Sequence, residues 1–147
     1  MAATLSDILR YPVKSMGGAS LPQSILSKQG IPGDRCWALK DEVRGGIQGG
    51  KRFADLMGMQ AELLAEPGPA NPSPIAQISL PDGSTLRTDD ADANSKLSHA
   101  VGSAVTLWPL LPADQLEHYL RAPAEEGIDQ ETALREVFAR TADEPLP

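Results

Sequence analysis

The sequence predicts a β-rich α+β fold with short helices and a helix near the C-terminus. Many of the chain's 13 glycines and 13 prolines divide the first hundred residues into short apolar stretches, which is typical of strands joined by turns. Apolar and polar residues alternate most clearly between Ala76 and Leu80, as they do in a half-buried strand. Helical spacing of apolar residues appears only later in the chain, around Leu97 and around Leu134.

Turn residues separate the predicted strands. Residues 29–33 and 81–84 carry the glycines and prolines of tight turns, and the second turn predicts a hairpin. Residues 67–74 are too rich in proline for a β-ladder and predict a loop. The glycine pairs at 45–46 and 49–50 predict the ends of a flexible loop. In chain order, the predicted strands cover residues 4–13, 21–28, 35–41, 60–65, 76–80 and 84–88, with a last strand through Val105 and Leu107.

Three short helical segments are predicted between and after these strands. Residues 52–57 are expected to form one helical turn. Asp92 or Asn94 can cap a helix whose apolar side is formed by residues 97–101. Asp129 can cap a second helix close to the end of the chain.

The composition indicates one ordinary globular domain. The chain has 147 residues, of which 41% are hydrophobic and 22% are charged, so it is long and apolar enough to bury a core. It has no apolar run near the roughly 20 residues of a membrane span and no secretory signal, so we predict a cytoplasmic protein. The single Cys36 excludes an intrachain disulfide and a Cys-rich zinc site.

The charge is acidic overall but unevenly distributed. The net charge is −7, yet the first 60 residues contain eight Lys or Arg against five Asp or Glu. An acidic chain argues against a general nucleic-acid binder, which needs a basic surface, and nothing indicates a membrane partner. The early excess of cations is suited to a local anion site, although the simpler explanation is uneven surface charge.

Two short segments carry the residues best suited to binding a ligand. Residues 11–15 read Tyr-Pro-Val-Lys-Ser, and the proline ends a strand just before Lys14 and Ser15. Residues 33–37 read Gly-Asp-Arg-Cys-Trp, so a glycine turn presents Arg35 before an apolar strand. A lysine, a hydroxyl and an arginine fork together suit a small phosphorylated ligand. The alternative is that Lys14 is solvated and Arg35 pairs with its neighbouring aspartate or with backbone carbonyls.

No other group of residues predicts a metal site or a nucleophile. Asp89, Asp90 and Asp92 lack the glycine and the distal glutamate of a calcium loop, so we interpret them as a solvated turn and helix cap. His99 and His118 have no partner at metal or triad spacing and are interpreted as structural.

Residues 11–15 and 30–37, with four later pieces, resemble the N-terminal part of MOSC proteins, the family named for the C-terminal domain of molybdenum-cofactor sulfurase. The later pieces are residues 49–52 (Gly-Gly-Lys-Arg), the turn at 80–83, the helix at 97–102 and the strand at 105–109. The resemblance covers roughly residues 5–121. It implies a partial β-barrel domain over residues 1–121. Residues 122–147 would then be a helical tail or the start of a connection to a C-terminal half.

This resemblance implies a cofactor and a set of residues that contact it. Members of the family bind a molybdopterin-type molybdenum cofactor, whose phosphate suits the cationic residues of this chain. The resemblance implies that Lys14, Ser15 and Arg35 contact the cofactor and that Arg52 approaches the same cleft. The family's reactions are reduction of N-hydroxylated substrates and transfer of sulfur to the cofactor. The chain is therefore expected to be part of an oxidoreductase or of a sulfur carrier.

The position of the only thiol makes a complete active site unexpected. In the family, molybdenum or a persulfide is held by a cysteine in the C-terminal half, and this chain ends at Pro147 without one. Cys36 is the one candidate for catalysis, and a buried, small apolar role is expected for it. We therefore expect cofactor binding without turnover unless a second chain or a C-terminal half supplies the thiolate. Whether the isolated chain carries the cofactor is an open question at this point.

Two alternatives to a cofactor-binding part of an enzyme remain open. The chain can be a non-catalytic β-barrel module that binds a small anion, a partner chain or the missing half. An exposed barrel edge favours such pairing with another chain. The resemblance can also reflect packing alone, in a small unrelated barrel.

Overall fold

The computed structural model describes residues 3–112, 114–119 and 127–146. Over these residues it contains eight short strands, two α-helices and two 3-10 helices. In chain order the elements are β1 (Ile8–Arg10), β2 (Ala19–Leu21), β3 (Trp37–Asp41), β4 (Ile47–Gln48), a 3-10 helix (Ala54–Gly58), β5 (Gln60–Leu63), β6 (Ala76–Ser79), β7 (Thr85–Arg87), α1 (Ala93–Val101), β8 (Val105–Pro109), a second 3-10 helix (Leu116–Tyr119) and α2 (Gln130–Phe138).

The strands form three antiparallel sheets with the orders β1-β2, β4-β3-β8 and β5-β6-β7. The segment after β1 links them, because isolated parallel bridges join Val13 to Trp37 and Gly17 to Gln60. The predicted β-rich class with short helices is thereby confirmed. Within the described residues, however, the ladders do not close into a barrel.

One cluster of buried apolar side chains forms the core. It draws on every strand from β3 to β8 except β4, and on the first 3-10 helix and α1. Leu97 of α1 is fully buried in this cluster, and burial of one leucine side chain stabilises a fold by about 1.5–3 kcal/mol. The helix contacts β7, β8 and the first 3-10 helix, so it holds two of the sheets together.

The second strand lies earlier in the chain than its sequence predicts. It was expected at residues 21–28, but β2 covers Ala19–Leu21 and pairs with β1 through Arg10 opposite Ala19. A Cβ atom at Gly18 would lie 2.0 Å from the carbonyl oxygen of Arg10, so this close hairpin requires glycine there. Residues 22–29 are exposed instead, because their apolar side chains meet no partner strand. The first strand is also shorter than the predicted range 4–13.

The glycine-rich loop contains a strand that was not predicted. Between the glycine pairs at 45–46 and 49–50, β4 pairs with β3 through Leu39 opposite Gln48. The two-residue strand is too short to show any apolar alternation. It is a strand only because its backbone pairs with β3. The remaining predicted strands and the helical turn agree with the structure within a few residues at each end.

Both helices occur where the sequence predicts them, with different caps. Asp129 accepts a hydrogen bond from the backbone N–H of Thr132 at 3.0 Å, so its predicted capping role is confirmed. Asp92 occupies the N-cap position of α1 without a side-chain cap bond, and the Asn94 side chain accepts the N–H of Leu107 at 2.8 Å. The predicted boundary between residues 121 and 122, and the side chain of His118, lie outside the described residues.

The described helices are short and polar for a membrane environment: none has the length and apolar content that a transmembrane span requires.

Candidate functional site

The two sequence segments singled out for ligand binding run side by side. Three backbone hydrogen bonds join them: Arg35 N–H to the Tyr11 carbonyl at 2.7 Å, Trp37 N–H to the Pro12 carbonyl at 2.9 Å, and Lys14 N–H to the Trp37 carbonyl at 2.9 Å. This parallel contact brings together two cationic residues that lie 21 positions apart in sequence.

Both segments contain a residue with a left-handed backbone. Ser15 has φ of 69° and Arg35 has φ of 51°, and among the described residues Ala139, which caps the end of α2, is the only other non-glycine residue with positive φ. A left-handed conformation costs an L-residue about 1–2 kcal/mol. Such strain persists where surrounding contacts enforce it, and it concentrates at functional sites.

A cavity of about 300 Å³ opens where the two segments meet. Two cationic residues and three aromatic residues line it together with small and apolar side chains. The lining consists of Lys14, Arg35, Cys36, Trp37, Ala38, Ile47, Trp108, Pro109, Leu110 and Tyr119. The cavity therefore combines positive charge with aromatic surface.

The Arg35 side chain is exposed at this cavity and lacks an ion pair within the described parts of the chain. The expected alternative, a pair with the neighbouring Asp34, does not form. Instead the Asp34 carboxylate accepts the backbone N–H of Tyr11 at 2.8 Å. That bond fixes the turn that carries Arg35. The Asp34 carboxylate thus binds the backbone rather than the Arg35 guanidinium.

Ser15 supports the cavity from outside it. Its hydroxyl oxygen accepts the N–H of Gly50 at 2.9 Å. A Cβ atom at Gly49 would lie 2.7 Å from that hydroxyl and 3.2 Å from Cε of Lys14, so the loop can approach only because glycine stands there. Ser15 does not line the cavity and instead fixes the turn that carries Lys14.

Arg52 is not among the residues that line the cavity. Its Nε donates to the Asp41 carboxylate at 3.2 Å, and its guanidinium lies 5.4 Å from the centre of the Phe53 ring. Of the four predicted cofactor-binding residues, Lys14 and Arg35 therefore line the cavity, and Ser15 and Arg52 do not.

Asp41 is a fully buried carboxylate at the end of β3. Besides Arg52, it accepts the backbone N–H groups of Val43 at 2.9 Å and Arg44 at 3.1 Å. Burial is the largest influence on the pKa of Asp41 and raises it. The two backbone donors and Arg52 together outweigh burial, so the pKa lies below its ordinary value of 3.8.

Cys36 lines the cavity but is fully buried. Burial raises the pKa of its thiol to about 11, because a thiolate is poorly solvated there. The backbone carbonyl of Cys36 accepts the Ser73 hydroxyl at 2.9 Å and the Leu110 N–H at 2.9 Å. The residue is held as a neutral, well-packed group, in line with the small apolar role expected for it.

Comparison with known families identifies the domain that supplies most of the lining of this cavity. A family model described as the MOSC N-terminal beta barrel domain matches residues 2–108. The chain belongs to this family. In the accompanying searches, no curated protein and no solved structure matches the chain.

The MOSC N-terminal domain supplies most of the cavity lining, including Lys14, Arg35 and both tryptophans. Pro109, Leu110 and Tyr119 follow the matched residues. The cavity is therefore built jointly by the family domain and by the segment that comes after it.

Sequence reasoning missed the aromatic part of the cavity. Trp37 and Trp108 come from adjacent strands, with Ala38 opposite Trp108 in the β3–β8 ladder. Both indole N–H groups are bound within the protein, to the Pro74 carbonyl at 2.8 Å and to the Thr106 hydroxyl at 2.7 Å. Trp37 lies two residues after Arg35, which is the one signal that could have placed an aromatic ring beside the cation.

The aspartates that were interpreted as a solvated turn form local contacts. Asp89 pairs with Arg87 at 2.9 Å, and Asp90 accepts the backbone N–H of Arg87 at 2.8 Å. Over the described residues, no group of three or more His, Cys, Asp or Glu side chains is arranged to hold a metal ion.

Proposed function

We propose that this chain binds the phosphate-bearing part of a molybdopterin-type molybdenum cofactor in the cavity lined by Lys14 and Arg35. The observation that carries the proposal is the meeting of these two cationic residues, predicted separately from sequence, at one cavity that also has aromatic walls. Membership of the MOSC N-terminal family supports the choice of cofactor.

The chemistry of the cavity fits such a group. A phosphate is matched by the point charge of Lys14 and by the planar fork of Arg35. A pterin ring is planar and aromatic, so it can pack against indole and phenol rings. Ligand cavities commonly measure about 300–1,000 Å³, and about 300 Å³ is suited to a part of the cofactor rather than to all of it.

The residues of this chain bind and orient; the cofactor supplies redox or sulfur chemistry when bound. Lys14 and Arg35 neutralise the phosphate, while the strained turns at Ser15 and Arg35 hold both cations in place before the ligand arrives. Cys36 does not provide a thiolate near neutral pH, because a pKa of about 11 leaves only about one thiol in 10⁴ ionised at pH 7. We therefore assign no catalytic step to it.

We also propose that the three sheets are parts of the barrel for which the family is named. The parallel bridges from Val13 to Trp37 and from Gly17 to Gln60 support this, since they already join the segment after β1 to both larger sheets. In an experimental structure, further backbone pairing along these two seams is the expected result.

The test of cofactor binding uses the intrinsic fluorescence of the protein. Both tryptophans of the chain line the cavity, so an absorbing ligand that enters should quench them. Cofactor released from a molybdoenzyme is titrated into the wild type and into the Lys14→Ala and Arg35→Ala variants. Each variant should bind about tenfold or more weakly, since each loses a charge-assisted contact.

Two matched controls remove the same charge elsewhere. Lys28→Ala lies in the exposed loop after β2, and Arg87→Ala removes a surface ion pair with Asp89. Both should bind within twofold of the wild type. Absence of quenching in the wild type, or equal losses in cavity and control variants, would contradict the proposal. If inorganic phosphate binds as tightly as the cofactor, the chain is a small-anion module instead.

A further inference from the structure

We propose that Asp34 is a positioning residue for the cavity: its carboxylate holds Arg35 in place through the backbone of Tyr11, and its charge limits the affinity of the cavity for anions. The inference rests on the proposed function, because Arg35 is one of the two cationic residues assigned to the phosphate. It deepens that function, since Asp34 does not itself line the cavity and yet has two opposing effects on the same ligand.

Asp34 and Arg35 together bind both backbone polar groups of Tyr11. The Asp34 carboxylate accepts the N–H of Tyr11 at 2.8 Å, and the N–H of Arg35 donates to the Tyr11 carbonyl oxygen at 2.7 Å. In a β-ladder a backbone carbonyl accepts such an N–H, and here a side-chain oxygen takes its place. The contact between residues 11–14 and 35–37 therefore begins at the side chain of Asp34.

These bonds act on a residue whose backbone is strained. Arg35 has φ of 51°, a conformation that a residue other than glycine keeps only where surrounding contacts enforce it. The two bonds to Tyr11 hold the chain up to Arg35, and the bond from the Trp37 N–H to the Pro12 carbonyl at 2.9 Å holds the chain after it. Loss of the Asp34 acceptor is therefore expected to release Arg35 from its position at the cavity.

The charge of Asp34 also reaches the cavity. Burial is the main cause of the raised pKa of the Cys36 thiol, which is about 11; the negative charge of Asp34 raises it as well, whereas the positive charge of Arg10 lowers it. Cys36 lines the cavity, so an anion bound there is opposed by Asp34 in the same way as a thiolate would be. The carboxylate thus favours anion binding through Arg35 and opposes it through its own charge.

Two variants of Asp34 separate these effects, with the cofactor titrated by tryptophan fluorescence as above. Asp34→Asn and Asp34→Ala both remove the charge, but only asparagine keeps a side-chain oxygen that can accept the Tyr11 N–H. Asp34→Asn should bind the cofactor about threefold more tightly than the wild type, because a repulsive charge is lost at a partly exposed site. Asp34→Ala should bind about tenfold more weakly than Asp34→Asn, because Arg35 is no longer held in place.

Two further measurements distinguish positioning of Arg35 from general support of the fold. In an Arg35→Ala background, Asp34→Asn and Asp34→Ala should bind the cofactor equally, since no cation is left to position. The gain in Asp34→Asn over the wild type should shrink as the salt concentration rises from about 0.01 M to about 0.15 M, because salt screens the repulsion. The difference between the two Asp34 variants should persist over that range.

Asp82 offers a matched control. Its carboxylate also accepts a backbone N–H, that of Ser84 at 2.8 Å, in a turn that does not line the cavity. Asp82→Asn and Asp82→Ala should both bind the cofactor within twofold of the wild type.

The possible failures can be told apart. If Asp34→Asn and Asp34→Ala bind equally while Lys14→Ala and Arg35→Ala still lose the cofactor, the inference is wrong and the proposed function stands. A difference that persists in the Arg35→Ala background also overturns the inference, because Asp34 would then act on the fold rather than on Arg35. Binding by Asp34→Asn no tighter than by the wild type overturns the role assigned to the charge. If the wild type does not bind the cofactor, both the inference and the proposed function are wrong.

Should Asp34→Ala not fold, Asp34→Glu decides the question. Glutamate keeps the charge but carries its oxygens one methylene group further from the backbone. Asp34→Glu should therefore bind the cofactor about threefold or more weakly than the wild type. Binding equal to that of the wild type would show that the place of the acceptor does not matter and would overturn the inference.

Discussion

The two ends of strand β3 place an arginine in opposite ways. Before its first residue, Arg35 is exposed at a cavity, on a backbone with φ of 51°. At its last residue, the fully buried Asp41 binds Arg52 at 3.2 Å. Both arginines were predicted from sequence to approach the same cofactor, yet only the first lines the cavity.

The titratable groups next to the two arginines, Cys36 beside Arg35 and Asp41 beside Arg52, also differ from each other: one is neutral and the other is charged. Cys36 is buried without donors to its thiol group strong enough to offset desolvation, so it stays neutral. Asp41 is equally buried but has two backbone donors and Arg52, so it stays charged. One end of the strand thus has an arginine exposed at a cavity, while the arginine at the other end pairs with a buried carboxylate of the fold.

The largest effect on stability is expected at the end of β3 where Asp41 pairs with Arg52. Asp41→Ala should lower the free energy of unfolding by about 2–4 kcal/mol, because two backbone N–H groups lose their acceptor and Arg52 loses its partner. Urea denaturation monitored by circular dichroism measures this change. A loss below about 0.5 kcal/mol would show that the pair does not support the fold.

Asp41→Asn is the matched variant for charge. Its amide oxygen can still accept the backbone N–H groups, so a smaller loss is expected. Because the folded state lowers the pKa of Asp41 below 3.8, the stabilisation by its charge is present above that pH and disappears as the pH falls through the folded-state pKa. The difference in stability between wild type and Asp41→Asn should therefore shrink on acidification.

The second-largest effect on stability concerns the neutral thiol of Cys36, just before the first residue of β3. The pKa of Cys36 is about 11 in the folded protein against an ordinary value of 9.0. Between these two values the unfolded chain has lost the thiol proton and the folded protein has kept it, so stability falls as the pH rises. The wild type should lose about 2–3 kcal/mol more than Cys36→Ala between pH 8 and pH 11.

Measurement of the unfolding free energy of both proteins at several pH values tests this. The tyrosines and lysines that titrate in the same range are common to both proteins, so the difference isolates the thiol. Parallel pH profiles would mean that the thiol ionises in the folded state at its ordinary pKa. The comparison of a neutral and a charged end of β3 would then be wrong.

Local sequence features predicted those parts of the fold that depend on local physics. The alternation at β6, the helix α1 and the Asp129 cap follow from side-chain periodicity and from capping chemistry within a few residues. The strands β2 and β4 could not be placed in this way. Each is defined by a partner that lies elsewhere in the chain, and short strands carry little periodicity of their own.

The candidate site shows the same division. Lys14 and Arg35 could be selected from sequence, since Lys14 follows a proline that ends a strand and Arg35 follows a glycine turn. Their meeting depends on backbone bonds between residues 11–14 and 35–37, which leave no trace in composition. The pairing of Arg52 with the buried Asp41 is visible only in the fold, and Tyr119 lies in a segment that offers no sequence signal.

The smallest effect on stability tests whether the backbone is strained at Arg35, at the end of β3 that faces the cavity. Arg35→Gly and Arg35→Ala both remove the cation, but only glycine accepts φ of 51° without strain. Arg35→Gly should therefore be more stable than Arg35→Ala by about 1 kcal/mol, while both bind the cofactor equally weakly. Equal stability of the two variants would mean that the turn at Arg35 carries no strain. A stability gain with loss of binding would show that the fold accepts strain there in order to hold a cation open to a ligand.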